Sequence, residues 1–215
     1  MICVSLREPD YRRLRAALKG LPLAEIRLDA TRLSSEEVKS LFSLPLSLIA
    51  TFRPGGAEDA RRRETLSLAV RSGAKYVDLE LESPKDFKRE LTAIARSSGC
   101  KVIVSFHDPN GIPDRRKLEA IADRCRAAGA DITKIACRVG SAAECSRLLS
   151  LYDRPEPMIA LGLGRFGTVT RIVAPLLGAP FTYASLAPGS ETGEGQLDWK
   201  TLQKRIEALA GWPLK

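Results

Sequence analysis

One rhythm constrains this chain more than any other feature. Eight short apolar runs recur along it, at 2–6, 23–28, 47–52, 76–81, 101–106, 131–137, 158–161 and 181–185. Each is followed by a charged stretch, and the spacing of roughly 20 to 30 residues is that of a βα unit. Several runs are apolar at nearly every position, as expected of strands buried on both faces of a parallel sheet. The stretches between them have helical spacing. Residues 86–98 put Phe87, Leu91, Ile94 and Ala95 on one face, and 116–128 do the same with Leu118, Ile121, Ala122 and Cys125. Gly73, Gly99 and Gly129 sit where helix C-caps belong. Ser34 and Glu37 have the spacing of a capping box. Eight alternating units predict an α/β protein of the (β/α)8 TIM-barrel type, with residues 1–215 forming a single domain. The main competitor is a doubly wound open sheet. Its dinucleotide-binding form is disfavoured because no G-x-G-x-x-G follows the first strand.

Other features narrow the class of function. No apolar run approaches the ~18 residues of a membrane span. Arg7 and Glu8 arrive too early for a signal-peptide core, so a cytoplasmic protein is expected. The five cysteines are odd in number and form no C-x-x-C pair, which fits reduced thiols. His107 is the only histidine, with no Cys/His cluster around it, so no metal site is expected. The net charge of +8 raises nucleic-acid binding. The basic residues are spread along the chain, however, and Arg61, Arg62 and Arg63 stand beside Glu58, Asp59 and Glu64. A pocket for a small anionic substrate is the better reading, with neither nucleic acid nor membrane as partner.

In a barrel, catalytic groups sit at the C-terminal ends of the strands. Polar residues there include Glu25, Arg27 and Asp29, which alternate on strand 2, so that all three face the barrel or none does. Others are Arg53, Asp78, Glu80, His107 and Asp108; Lys134 lies within strand 6, Arg171 follows the Gly-rich stretch after strand 7, and Gln196 closes the loop after strand 8. Lys134 is the sharpest signal, because its β-prone apolar flanks bury a charge that is costly unless paired. It is either a structural ion pair, for example with Glu80, or a nucleophile. A lysine of ordinary pKa is only about 0.04% neutral at pH 7. Burial and nearby cations, for which Arg27, Arg53 and Arg171 are candidates, would free the amine to attack a ketone. His107 suits general acid–base work. Asp108-Pro109-Asn110-Gly111 reads as turn chemistry. Arg171 suits a substrate carboxylate, or a helix end. Glu25 can bond substrate hydroxyls or pair with Arg27 or Arg53. The glycines of 162–167 either cradle a phosphate or allow a tight turn, and 189–195 is a candidate mobile lid.

Taken in order, Glu25-Ile-Arg27-Leu-Asp29, Thr51-Phe-Arg53, Asp78-Leu-Glu80, Ser105-Phe-His107-Asp108, Asp131-Ile-Thr-Lys134-Ile-Ala136, Thr170-Arg171 and Gly195-Gln196 form a set that resembles the type I 3-dehydroquinate dehydratases. The resemblance implies a hydro-lyase of the shikimate pathway of aromatic amino-acid biosynthesis, usually a homodimer, with no metal or organic cofactor. By the family pattern, Lys134 forms an imine with the ketone of 3-dehydroquinate and His107 is the proton shuttle. Glu25, Arg27 and Arg53 surround the ring hydroxyls, and Arg171 takes the carboxylate. Gln196, Thr192 and Ser5 match further substrate contacts.

Three departures stand out. The family's glutamate before the paired glycines is missing from Arg53-Pro54-Gly55-Gly56, or displaced to Glu58, so another group must orient His107, and Glu80 is a candidate. The usual Ser-Ala-Pro-Gly-Gln reads Thr192-Gly193-Glu194-Gly195-Gln196, which puts a carboxylate near an anionic substrate. Leu161 replaces the usual Met. The alternatives are another Schiff-base barrel of aldolase type and a non-catalytic barrel that binds sugar acids.

Overall fold

The apolar runs become strands because their β-branched and apolar side chains find cover on both faces. In the computed structural model, which describes residues 1–55 and 59–211, each run gives one strand and each charged stretch one helix. In chain order they are β1 (Ile2–Leu6), α1 (Tyr11–Ala17), β2 (Leu23–Arg27), α2 (Ser35–Phe42), β3 (Ser47–Thr51), α3 (Asp59–Arg71), β4 (Tyr76–Glu80) and α4 (Lys85–Ser97). The second half adds β5 (Lys101–Asp108), α5 (Arg115–Ala127), β6 (Ile132–Arg138), α6 (Ala142–Leu149), β7 (Met158–Leu163), α7 (Thr168–Val173), β8 (Thr182–Ser185) and α8 (Trp199–Ala210). The expected capping box forms between Ser34 and Glu37. Gly73, Gly99 and Gly129 adopt the positive φ that a chain leaving a helix needs.

All neighbouring strands pair in parallel, in the order β7-β6-β5-β4-β3-β2-β1-β8. This is the expected barrel, open in hydrogen bonding only between β7 and β8 among the described residues. Side chains from alternate strand positions divide the core in two. Cys3, Leu23, Ile49, Ile103, Ile159 and Phe181 fill the barrel interior. A larger apolar layer, including Val4, Ile26, Val77, Leu91 and Leu118, lies between strands and helices. The open seam is flanked by α7. Gly162 and Gly167 let this short helix close on β7, since a Cβ on Gly167 would stand 2.3 Å from the Gly162 backbone.

One strand ends earlier than its alternation predicts. β2 stops at Arg27, and Leu28–Ala30 turns into a 3-10 helix. Asp29 therefore leaves the strand register and folds back onto Arg27, with contacts of 3.0 and 2.7 Å. The loss of period 2 comes from this turn, which the apolar run at 23–28 conceals.

Candidate active site

Above the apolar interior the barrel holds a polar layer, set by strand register. Ser5 lies opposite Glu25, Thr51 opposite Asp78, and Ser105 opposite both Glu80 and Lys134. Paired residues of a parallel sheet face the same side, so all of these side chains share the barrel interior and reach either the residue opposite or its diagonal neighbour two positions along. Ser5 donates to Glu25, and Thr51 Oγ1 donates to Glu25 Oε1 at 2.9 Å. Ser105 Oγ donates to Asp78 Oδ1 at 2.5 Å. The two buried carboxylates are thus fixed before any ligand arrives.

Lys134, 4% exposed, ends between them. Its Nζ donates to Asp78 Oδ2 at 2.8 Å and stands 3.7 Å from Glu25 Oε1. The Tyr183 ring lies beneath it, 4.1 Å from Nζ to centroid. Such a stack favours a cation over the ring face. This corrects two expectations. The charged groups nearest the amine are carboxylates rather than arginines, because Arg27 is held by Asp29 and Arg53 is drawn to Glu80 and Asp78. Glu80 is not the lysine's ion-pair partner. Burial pushes the Asp78 carboxyl up, but Lys134, Arg53 and His107 more than offset it and hold it well below the usual carboxylate range. Burial likewise raises Glu25, and Lys134 and Arg53 bring it below its ordinary value.

His107 belongs to the neighbouring cluster. Its Nδ1 lies 3.2 Å from Glu80 Oε1, and its Nε2 lies 3.1 Å from Arg53 Nη2. This arrangement suits the tautomer in which Nδ1–H donates to Glu80 and Nε2 accepts from Arg53. Glu80 also forms an ion pair with Arg53. Burial and then the Arg53 charge lower the His107 pKa below its ordinary value, while the Glu80 carboxylate pulls the other way. The imidazole is therefore neutral at pH 7, with a proton to give at one nitrogen and a lone pair at the other. Glu80 takes the orienting position against His107. Glu58, the other candidate, lies outside the described residues.

Across the pocket stands Arg171, on α7 at the open seam and 2% exposed. Its Nη1 makes a long 3.5 Å contact with the Tyr183 carbonyl, and its Nε has no partner. Burial pulls this guanidinium down to about 10. No carboxylate pairs with it among the described residues, an unusual state for a buried charge.

The loop after β8 completes the pocket. Gln196 Oε1 accepts from Thr192 N at 2.8 Å, Thr192 Oγ1 at 3.2 Å and Gly193 N at 3.3 Å, turning the loop back on itself. Glu194 points away and pairs with Arg138 at the end of β6. This resolves the apparent conflict between its charge and an anionic ligand. The loop also docks on the turn after β7, where Gly164 N donates to the Glu194 carbonyl at 3.3 Å. Gly195, at φ +80°, is required there, since a Cβ would lie 2.3 Å from Gly164 O.

Glu25, Arg27, Arg53, His107, Lys134, Arg171, Thr192 and Gln196 all line one pocket of about 310 Å³. Ser5 lies below the lining and acts on Glu25. The glycines after β7 are a tight turn. The Gly162 amide donates to Thr170 Oγ1 at 2.8 Å and the Gly167 amide to the Gly164 carbonyl at 2.9 Å, leaving neither for a phosphate. Asp108 also keeps its turn role, accepting from Asn110 N at 2.9 Å. The arginine run is structural. Arg62 is buried with its guanidinium on Phe52 O and Ser83 Oγ, and Arg63 pairs with Asp86 and Glu90. All five cysteines are buried and none is in a disulfide. Among the described residues no His, Cys, Asp and Glu cluster suits a metal, and no helix is long and apolar enough to cross a membrane.

Sequence reasoning undervalued three groups. Asp78 and Ser105 were visible as polar strand positions, but nothing in the spacing marks them as the lysine's anchor. Tyr183 reads as an ordinary aromatic of an apolar strand.

The family model described as Type I 3-dehydroquinase matches residues 2–211. A protein of Desulfotalea psychrophila named 3-dehydroquinate dehydratase is 33% identical over 210 residues, covering 91% of this chain and 92% of its own. One of the same name from Methanosarcina acetivorans is 29% identical, with 97% and 94% covered. The crystal structure of the 3-dehydroquinate dehydratase of Geobacillus kaustophilus superposes with a TM-score of 0.87 at 24% identity, covering 98% of this chain and 91% of that one.

Proposed function

The chain belongs to the type I 3-dehydroquinase family, and on that premise we propose that it dehydrates 3-dehydroquinate to 3-dehydroshikimate through an imine on Lys134. One observation carries this reading. A buried amine and a buried guanidinium that no carboxylate pairs with among the described residues face the same pocket, from Lys134 and Arg171. A small keto acid fits that pair, with its carboxylate on Arg171 and its ketone at the lysine.

The steps follow from the groups in place. Lys134, held as the ammonium by Asp78 and Glu25, first gives a proton to the neutral His107. The freed amine adds to the C3 carbonyl, and the carbinolamine loses water, its hydroxyl protonated by His107, to give a protonated imine. The iminium draws electrons from the adjacent carbon, so loss of the C2 proton gives an enamine. The enamine expels the C1 hydroxyl as water once an acid protonates it. Water then releases the conjugated product and restores the amine. His107 has one nitrogen for each direction of proton transfer and serves as the shuttle. The cationic stages sit against Asp78 and the face of Tyr183. Arg171 anchors the carboxylate, and Glu25, Arg27 and Arg53 take the ring hydroxyls. Gln196 and Thr192 hold the substrate from the loop side, and Ser5 assists through Glu25. The whole chain acts as one catalytic unit, as a homodimer in the shikimate pathway.

The test is to incubate the protein with 3-dehydroquinate, add borohydride and determine its mass, following the conjugated enone in an untreated sample. An adduct of substrate or product mass on Lys134, with enone formed, is expected. Ligand binding without adduct or enone would mean a binding barrel, and cleavage into two fragments an aldolase.

A further expected result concerns Glu80. Glu80→Gln keeps the shape but removes the charge that raises His107's pKa. That pKa then falls further, so the acid limb of the kcat profile moves to lower pH, and kcat drops about 10- to 100-fold as the shuttle weakens. A pH profile recorded on both proteins checks this. A lower kcat with an unmoved limb would make Glu80 merely structural.

A further inference from the structure

The outer layer holds a second cavity, of about 800 Å³, between α4 and α5. One wall is a stripe of α4. Lys85, Lys88, Arg89, Thr92, Ala93 and Arg96 follow the i, i+3, i+4, i+7, i+8, i+11 spacing that on a packed helix is normally apolar. The other wall is made small by Ala127, Ala128 and Gly129, with Arg124 beside them. No acidic side chain lines the cavity. The acids of α4 face elsewhere, since Asp86 and Glu90 pair with Arg63 of α3, and Arg124 pairs with Glu82 at 3.0 Å. Lys85, Arg89 and Arg96 have no ion-pair partner among the described residues. Lys88 is buried and donates to the Leu81 and Ser83 carbonyls. Thr92 lines the same wall packed near Gly129, and its Oγ1 is closed off from solvent, so it contributes packing surface to the groove rather than a donor.

From Lys85 to Arg96 the cations span about 16 Å at 1.5 Å per residue. Charge at both ends and small apolar residues between them suit a long ligand rather than a single inorganic ion. We propose that the groove between α4 and α5 is a binding site for an elongated organic dianion, with anionic groups at its two ends and an apolar body between them. Lys85 and Arg89 meet one end and Arg96 the other. The site is separate from the barrel mouth, where Arg171 lies.

The test is calorimetric titration of the full chain with 2,6-naphthalenedisulfonate, a rigid dianion about as long as the ~10 Å rise from Arg89 to Arg96, beside naphthalene-2-sulfonate and sulfate. Two variants accompany it: the triple Lys85→Ala, Arg89→Ala, Arg96→Ala, and Arg171→Ala. The three substituted side chains are exposed, so the fold is kept, which circular dichroism checks. The disulfonate is expected to bind once per chain. It should bind at least tenfold more weakly to the triple variant and unchanged to Arg171→Ala, with sulfate a poor competitor. Equal binding to the triple variant, loss of binding in Arg171→Ala, or equal competition by sulfate at matched ionic strength overturns the proposal.

Discussion

Lys134→Arg is expected to lose at least ~10⁴-fold in kcat and to give no borohydride adduct, while remaining folded. The guanidinium keeps the positive charge that Asp78 and Glu25 require, but it has no free amine with which to form an imine. Lys134→Ala loses activity to the same degree and differs in stability. Removing one partner of a buried ion pair costs about 3–5 kcal/mol, because the other charge is left uncompensated. Here two carboxylates are left, at 2.8 and 3.7 Å from the missing amine, and Arg53 recovers part of the loss through its 3.8 Å contact with Asp78. Steady-state assays and urea unfolding of both variants separate the two effects. Residual turnover within tenfold of the parent in a folded Lys134→Arg protein would sink the covalent mechanism, whatever the alanine variant does.

The barrel was legible because its signal is redundant. Eight runs, each buried on both faces, repeat one pattern, and the boundary errors of a residue or two do not disturb it. Helices α4 and α5 begin and end one residue before the spans read from their periodicity. The lysine and the histidine were legible for a related reason, since a charged group inside an apolar strand or at its end is a local anomaly. What spacing cannot give is who pairs with whom. Asp29 and Asp78 both sit near strand ends, yet a 3-10 turn sends one to Arg27 while register sends the other to Lys134. The expectation that arginines surround the amine failed on that point. Arginines and carboxylates are both abundant at the barrel mouth, and only three-dimensional register sorts them. Tyr183 was hidden because an aromatic in an apolar strand carries no polar mark until a cation is found above its ring.

Arg171→Met is expected to make the protein more stable and a poor catalyst. The guanidinium is buried, its Nε lacks a partner, and its one contact is long. With its pKa pulled down only to about 10, it stays charged at pH 7, so the folded state carries the full cost of an unpaired buried cation. An apolar side chain of similar length removes that cost, and replacements of this kind gain about 1–4 kcal/mol. Its catalytic effect has the opposite sign. If the guanidinium waits for a carboxylate, losing a buried, charge-assisted contact of this type costs about 2–5 kcal/mol of binding, or roughly 30- to 4,000-fold in kcat/KM. Urea unfolding at pH 7 and steady-state kinetics on the two proteins measure both halves. A substrate-like carboxylate should also stabilise the parent against unfolding and leave the variant unmoved, because only a ligand that binds the folded state shifts the equilibrium. If Arg171→Met proved both less stable and equally active, the arginine would be a structural group, and the pocket would have lost the feature that selects a keto acid.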